Sequence, residues 1–271
     1  MVTFLPENKN IFTFNNGEFE ADYIKFGSGK SALVILPGLA LKEVTLQSEA
    51  IISAYSVFEK DYTVYLFEKR KNVPQGFTIN GIAADTAAEM HALGLEKAFV
   101  FGVSQGGMTA QLLAVHYPDL VKGLVLASTF AKSNPVFINL MNEWQAFAKS
   151  GDKIALNRSF FKNVYSKAYY EKYKEIFVSL ENEGTSAELE RFFILSEACR
   201  SFDCAAQLKK ITCPVLVLGG CDDVAVPPEV QKELAAALGA EYYFYENYAH
   251  AVYDEAPDFK ERIIGFLNRI K

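Results

Sequence analysis

The chain has 271 residues, half of them hydrophobic, which is enough to bury one large core; its net charge of −6 and the lack of any Lys/Arg run exclude a nucleic-acid-binding surface. Four cysteines without a Cys-x-x-Cys pair, and only three histidines, exclude a structural zinc site. No apolar run is long enough to span a membrane and residues 1–10, with Pro6, Glu7 and Lys9, do not read as an export signal, so a reduced, cytoplasmic protein is expected.

Residues 11–14, the Asn16-Gly17 pair and residues 19–26 predict a β-hairpin. Asn-Gly is a favoured turn dipeptide, and Phe19, Ala21 and Tyr23 alternate with polar neighbours. Ala32-Leu33-Val34-Ile35-Leu36 is a continuous apolar run, as expected of a strand buried on both faces. It ends in Pro37-Gly38-Leu39-Ala40, a turn that would present backbone N–H groups at the carboxyl end of the strand. A helix is expected over 43–58 and a strand over 62–67. The polar run Glu68-Lys69-Arg70-Lys71 reads as a solvated connection. Ile79, Ile82, Ala83, Thr86, Met90 and Leu93 recur at helical spacing and predict a helix over 78–93, with His91 at a surface or interface.

The stretch from Phe99 to Met108 reads as a strand that turns at once into a helix, with Gly102-Val103-Ser104-Gln105-Gly106 at the turn. The Gly-x-Ser-x-Gly pattern has a physical reason: the turn is too tight for side chains two residues either side of the serine. The serine hydroxyl is thereby pushed out above the sheet, where the start of the helix points free N–H groups. That geometry suits a nucleophile attacking a carbonyl. The helix runs over 105–117 and stops at Pro118; His116 lies near its end, where an imidazolium suits the helix dipole. A further buried strand covers 124–128.

From 130 to 208 no strand pattern occurs. Helices are expected over 136–149, 154–161, 168–181 and 187–196, in a block dense in Phe, Tyr and Trp. This block interrupts a strand–helix alternation and reads as an inserted helical lid, 131–208, on a core made of 1–130 and 209–271. Most of its aromatic rings should pack the lid, and a minority should face the serine as an apolar pocket. Alternation resumes with a strand at 214–220, a helix at 228–238, a strand at 241–245, a loop at 247–250 and a last helix at 257–270. Repeated strand–helix units predict an α/β fold, a mainly parallel sheet with helices on both faces, whose site lies at the carboxyl ends of the strands. Gly38, Ser104, Asp223 and His250 all follow predicted strands.

A serine hydroxyl attacks only when a base takes its proton, and the base needs an acid to orient it. His250 is the one histidine in a loop after a strand, hence the candidate base; the acid is Asp222 or Asp223 in Gly220-Cys221-Asp222-Asp223. With these motifs in order, the chain resembles the α/β-hydrolase superfamily of the lidded, serine-nucleophile type, from about residue 11 to residue 270. The resemblance rests on Gly102-Val103-Ser104-Gln105-Gly106-Gly107, on Gly220-x-x-Asp223-x-x-x-Pro227 and on His250-x-x-x-x-Glu255-x-Pro257. It implies a mostly parallel eight-stranded sheet with a lid inserted after the sixth strand. It also implies Ser104 as nucleophile, His250 as base, Asp223 as orienting acid, and the backbone N–H groups of Leu39 and Gln105 as the oxyanion hole. Many relatives carry His-Gly where this chain has Pro37-Gly38, but a backbone donor at Leu39 survives that change.

The expected activity is hydrolysis of a small or medium apolar carboxylic ester through an acyl-enzyme, with no metal and no cofactor. Serine at the elbow argues against the aspartate-nucleophile dehalogenase and epoxide-hydrolase branches. Alternatives on the same fold are a thioesterase, a C–C bond hydrolase, an aminopeptidase, or a non-catalytic small-molecule receptor. An aminopeptidase would need acidic lid residues for the substrate amine, and Glu143, Glu181 and Glu183 read as exposed helix charges. A small-molecule substrate is the expected partner, and a homodimer is compatible with the sequence.

Overall fold

The apolar runs pair with one another because a strand buried on both faces has nowhere else to satisfy its backbone. The computed structural model describes residues 2–4 and 10–271. Its strands are β1 (Val2–Phe4), β2 (Ile11–Asn15), β3 (Glu20–Phe26), β4 (Ser31–Leu36), β5 (Tyr62–Phe67), β6 (Ala98–Val103), β7 (Val121–Ala127), β8 (Val215–Gly220) and β9 (Glu241–Tyr245). They form one sheet in the order β1-β2-β3-β5-β4-β6-β7-β8-β9. The eight expected strands are β2 to β9, and β1 adds an antiparallel ninth at the edge. From β5 across to β9 every pairing is parallel, so all those carboxyl ends share one rim. The reading of residues 1–10 as no export signal falls mainly on positions 1 and 5–9, outside the described residues. Among the described residues no helix is long and apolar enough to cross a membrane.

Alternate side chains of the parallel strands fill two cores. Val34, Leu36, Val100, Leu124, Leu126 and Val217 face one side, with residues of α2 (Ile79–Ala92), α3 (Gln105–His116) and α9 (Pro228–Leu238). Leu33, Ile35, Phe99, Phe101, Val125 and Leu218 face the other, with α1 (Ser48–Tyr55), α10 (Val252–Glu255) and α11 (Phe259–Arg269). The period of two thus places each face of the sheet under its own helical layer.

Local chemistry explains where the elements stop. Asn15 and Asn16 side chains accept backbone N–H groups of Gly17, Glu18 and Phe19, so the hairpin closes through Asx turns over four residues, not through a two-residue Asn-Gly turn. Thr78 caps α2 through Gly81 N–H. The stretch expected as a helix over 43–58 is α1 flanked by two short 3-10 turns.

Between β7 and β8 the chain runs through α4 (Pro135–Ser150), α5 (Lys153–Val164), α6 (Lys167–Lys172), α7 (Lys174–Leu180) and α8 (Ser186–Arg200). The single helix expected over 168–181 is broken at Tyr173, whose ψ of 19° leaves the helical region. The bend lets Phe177 stack on Tyr170, with ring centroids 5.5 Å apart, and meet Tyr165 at 4.8 Å. Glu181 is buried and held by Arg158 through two hydrogen bonds, contrary to the expectation of an exposed charge.

One buried acid carries a stability prediction. Glu89 on α2 is 1% exposed, and its Oε2 has no hydrogen-bond partner among the described residues. Burial, helped by the charges of Asp85 and Glu68, raises its carboxyl well above the ordinary carboxylate range. A raised folded value means that the native state holds the proton more tightly than the unfolded chain. The stabilisation is complete below the unfolded value, about 4.3, and is lost as pH rises through the folded value. Glu89→Gln is therefore expected to melt above wild type at about pH 8 and to converge with it near about pH 4. Parallel thermal melts at the two pH values check this, and a pH-independent difference would contradict it.

Candidate active site

The elbow is built by close approach of two backbones. A Cβ on Gly106 would collide with the carbonyl of Leu36, and one on Gly102 with the carbonyl of Gly106, so only glycine fits at either position. Ser104 between them has φ 51° and ψ −114°, a conformation that costs an L-residue on the order of 1–3 kcal/mol. The neighbours impose it: Ser104 N–H donates to the Ala127 carbonyl at 2.9 Å, and the Ser104 carbonyl accepts from Thr129 Oγ1 at 2.9 Å.

The acid and the base meet two strands over, beyond β7. Asp223 follows β8 and is 3% exposed. Its Oδ2 lies 2.9 Å from His250 Nδ1. Three other donors converge on the same carboxylate: the N–H groups of Ala225 and Val226 at 3.0 and 2.8 Å, and Gln231 Nε2 at 3.1 Å. The carboxylate is thus held in one orientation, with the histidine Nδ1 side fixed against it. Asp222 is exposed and contributes its N–H to the Tyr248 carbonyl. The histidine loop is pinned in turn by Ser128 Oγ, which donates to the His250 carbonyl at 2.7 Å.

Ser104 and His250 border one cavity of about 30 Å³, together with Gly38 and Leu39. Its roof comes from the helices between β7 and β8: Phe137, Met141, Trp144, Phe160 and Val164. Of the aromatic-rich block, then, three rings face the serine and the others pack among themselves, as the cluster around Phe177 does. The cavity is small, so the roof crowds the serine without sealing it from solvent.

The roof is tied down at several points. Gln105 Nε2 donates to the Leu195 carbonyl at 2.9 Å and to Cys199 Sγ at 3.0 Å, which joins the start of α3 to α8. The Glu255 carboxylate accepts from the backbone and hydroxyl of Ser166, at the start of α6. Ala251 N–H donates to the Val164 carbonyl at 2.8 Å. Burial pushes the Cys199 thiol up to about 12, which leaves it inert as a nucleophile.

The polar run after β5 is the clearest departure from expectation. Glu68 and Lys69 are 4% and 7% exposed, so this is a buried connection and not a solvated one. Arg70 forks onto Asp85, and Lys71 pairs with Glu20 and Asp22. His91 and His116 are exposed and far from this chemistry. Gln231, Ser128 and Thr129 were not singled out from the sequence, since a lone polar residue in a helix or after a strand carries no spacing signal. The faint signal for Gln231 is Gly219: a Cβ there would collide with the Gln231 side chain.

Known proteins resemble this chain in sequence and in fold. A family model described as "Serine aminopeptidase, S33" matches residues 81–257. The 3-oxoadipate enol-lactonase 2 of Acinetobacter baylyi is 26% identical over 210 residues, 74% of this chain and 75% of that protein. A protein of Agrobacterium fabrum named "Putative carbamate hydrolase RutD" is 30% identical over 207 residues, 72% of this chain and 76% of that protein. The crystal structure of MGS-M2, an α/β hydrolase from a Medee basin deep-sea metagenome library, superposes with a TM-score of 0.85 at 25% identity, covering 94% of this chain and 97% of that one.

Proposed function

Because the chain belongs to the α/β-hydrolase superfamily, within the serine aminopeptidase S33 family, and is a hydrolase, we propose that it cleaves a small or medium apolar carboxylic ester through an acyl-enzyme on Ser104. The observation that carries this reading is the Asp223–His250 pair, 2.9 Å apart, whose histidine borders the same cavity as a serine held in a strained elbow.

In this reading Asp223 keeps the proton of His250 on Nδ1, so that Nε2 is free to take the hydroxyl proton of Ser104. The serine oxygen attacks the ester carbonyl, and the developing oxyanion is received by the N–H groups of Leu39 and Gln105. His250 then protonates the alcohol as it leaves. Water enters and gives a proton to His250 as its oxygen attacks the acyl carbon; the bond from that carbon to Ser104 Oγ then breaks, and His250 returns the proton to the serine oxygen as the acid leaves. Residues 131–208 act as the lid over the core of 1–130 and 209–271, and the lid rings offer the acyl chain an apolar wall. The cavity is small, so lid side chains must yield for substrate to enter. The enol-lactonase relative is named for a cyclic ester, which favours an ester over a C–C or thioester bond. The acids that an aminopeptidase reading would call on are engaged elsewhere: Glu143 with Ser159, Glu181 with Arg158, Glu183 with Lys42.

The test is hydrolysis of p-nitrophenyl esters from two-carbon to long acyl chains by the purified protein. Turnover with a chain-length optimum, absent from Ser104→Ala, is the expected result. No turnover at any length would set the ester reading aside.

A further inference from the structure

We propose that Lys69 is the positioning residue of the oxyanion hole: its ammonium grips the Pro37 and Gly38 carbonyls and so aims the next two N–H groups at Ser104. The proposal rests on the reading of Leu39 N–H as an oxyanion donor. Lys69 Nζ lies 2.7 Å from the Gly38 carbonyl oxygen and 3.2 Å from that of Pro37. A trans peptide unit is planar, and its C=O and N–H point in opposite directions. The Pro37 carbonyl shares its peptide unit with Gly38 N–H, and the Gly38 carbonyl shares one with Leu39 N–H. Fixing both carbonyls on the lysine side therefore turns both N–H groups to the other side. Gly38 and Leu39 border the serine cavity, and a Cβ on Gly38 would stand only 3.4 Å from Ser104 Cβ. A positive charge at the carbonyl end also polarises the amide and strengthens its N–H as a donor.

The surroundings make this grip rigid. The Lys69 side chain is 5% exposed, and its nearest carboxylate, Glu68, is 3.7 Å away, farther than either carbonyl. The ammonium thus spends its short contacts on the loop and not on its ion-pair partner. Glu68 is held by the N–H groups of Val44 and Lys69 at 2.7 and 2.8 Å and by Arg191 on α8 at 3.2 Å. Burial of an ion pair is a weak source of stability by itself, so a lysine retained here for folding alone has little to recommend it.

The experiment compares wild type with Lys69→Met and Lys69→Arg; in Lys69→Met the Glu68 carboxylate keeps Arg191 as its partner, so no buried charge is left unpaired. Three readings are taken: p-nitrophenyl ester kinetics, the rate at which a fluorophosphonate labels Ser104, and the backbone amide resonances of Gly38 and Leu39. Lys69→Met is expected to lower kcat about 10- to 100-fold with KM within about twofold, because the loop acts on the transition state. Labelling should slow in parallel, and the Gly38 and Leu39 resonances should move. Lys69→Arg should recover part of the rate. A folded Lys69→Met protein with kcat and both amide resonances unchanged would overturn the proposal. If wild type cleaves no ester, the ester reading fails, and labelling and amide resonances still decide the role of Lys69.

Discussion

Ser104→Ala is expected to lower kcat by about five to six orders of magnitude, the loss seen when an activated serine of this kind is removed. The size follows from the proposed mechanism: without the hydroxyl there would be no acyl-enzyme, and His250 and the proposed oxyanion donors would be left with only a water to guide. The fold should not notice. Ser104 is held by its backbone, through the Ala127 carbonyl and Thr129 Oγ1, and alanine keeps both contacts. A melting temperature within about 2 °C of wild type is expected, since such a change is usually worth no more than about 0.5 kcal/mol. Steady-state assay and a thermal melt on the same preparation check both halves. Turnover retained at wild-type level would take the nucleophile role from Ser104.

Asp223→Asn is expected to lower kcat by about four orders of magnitude, and Asp222→Asn by less than about threefold. Asp223 accepts on both oxygens: Oδ1 from Ala225 and Val226 N–H, Oδ2 from Gln231 and His250. Asparagine has one acceptor oxygen, and the two N–H donors claim it. Its amide nitrogen then faces His250 Nδ1 as a donor. The imidazole must answer by carrying its proton on Nε2, where it can no longer accept from Ser104. The same amide nitrogen opposes Gln231 Nε2, so some loss of stability should accompany the loss of rate. Asp222 is exposed and uses only its backbone, so its side chain has nothing comparable to lose. Kinetics of the two variants side by side decide the matter, and the reverse ranking would move the acid by one residue.

Much of the architecture was legible because the relevant physics is local. The strand at Tyr62–Phe67, the helix at Pro228–Leu238 and the strand at Glu241–Tyr245 were each expected with the bounds they have, since period and Gly or Pro punctuation mark them. The elbow was legible for a sharper reason: the collisions that exclude a Cβ from Gly102 and Gly106 leave glycine as the signature. The helix over 168–181 failed as an expectation because its break serves ring stacking around Phe177, a contact that spacing alone does not show.

What the sequence determined by itself was the alternation of elements, and with it that Gly38, Ser104, Asp223 and His250 lie on one rim of a parallel sheet. What only the tertiary structure decided was the fate of isolated polar groups and the volume between layers. Glu68 and Lys69 read as a solvated run, yet Lys69 is buried against carbonyls 31 and 32 residues away in the chain. Gln231 reads as an ordinary helix residue, yet it completes the shell of Asp223. The size of the serine cavity depends on how five helices dock, through ties such as Gln105 to Leu195 and Glu255 to Ser166. A polar side chain is placed by whatever donors and acceptors the fold brings to it, and sequence distance holds no record of that.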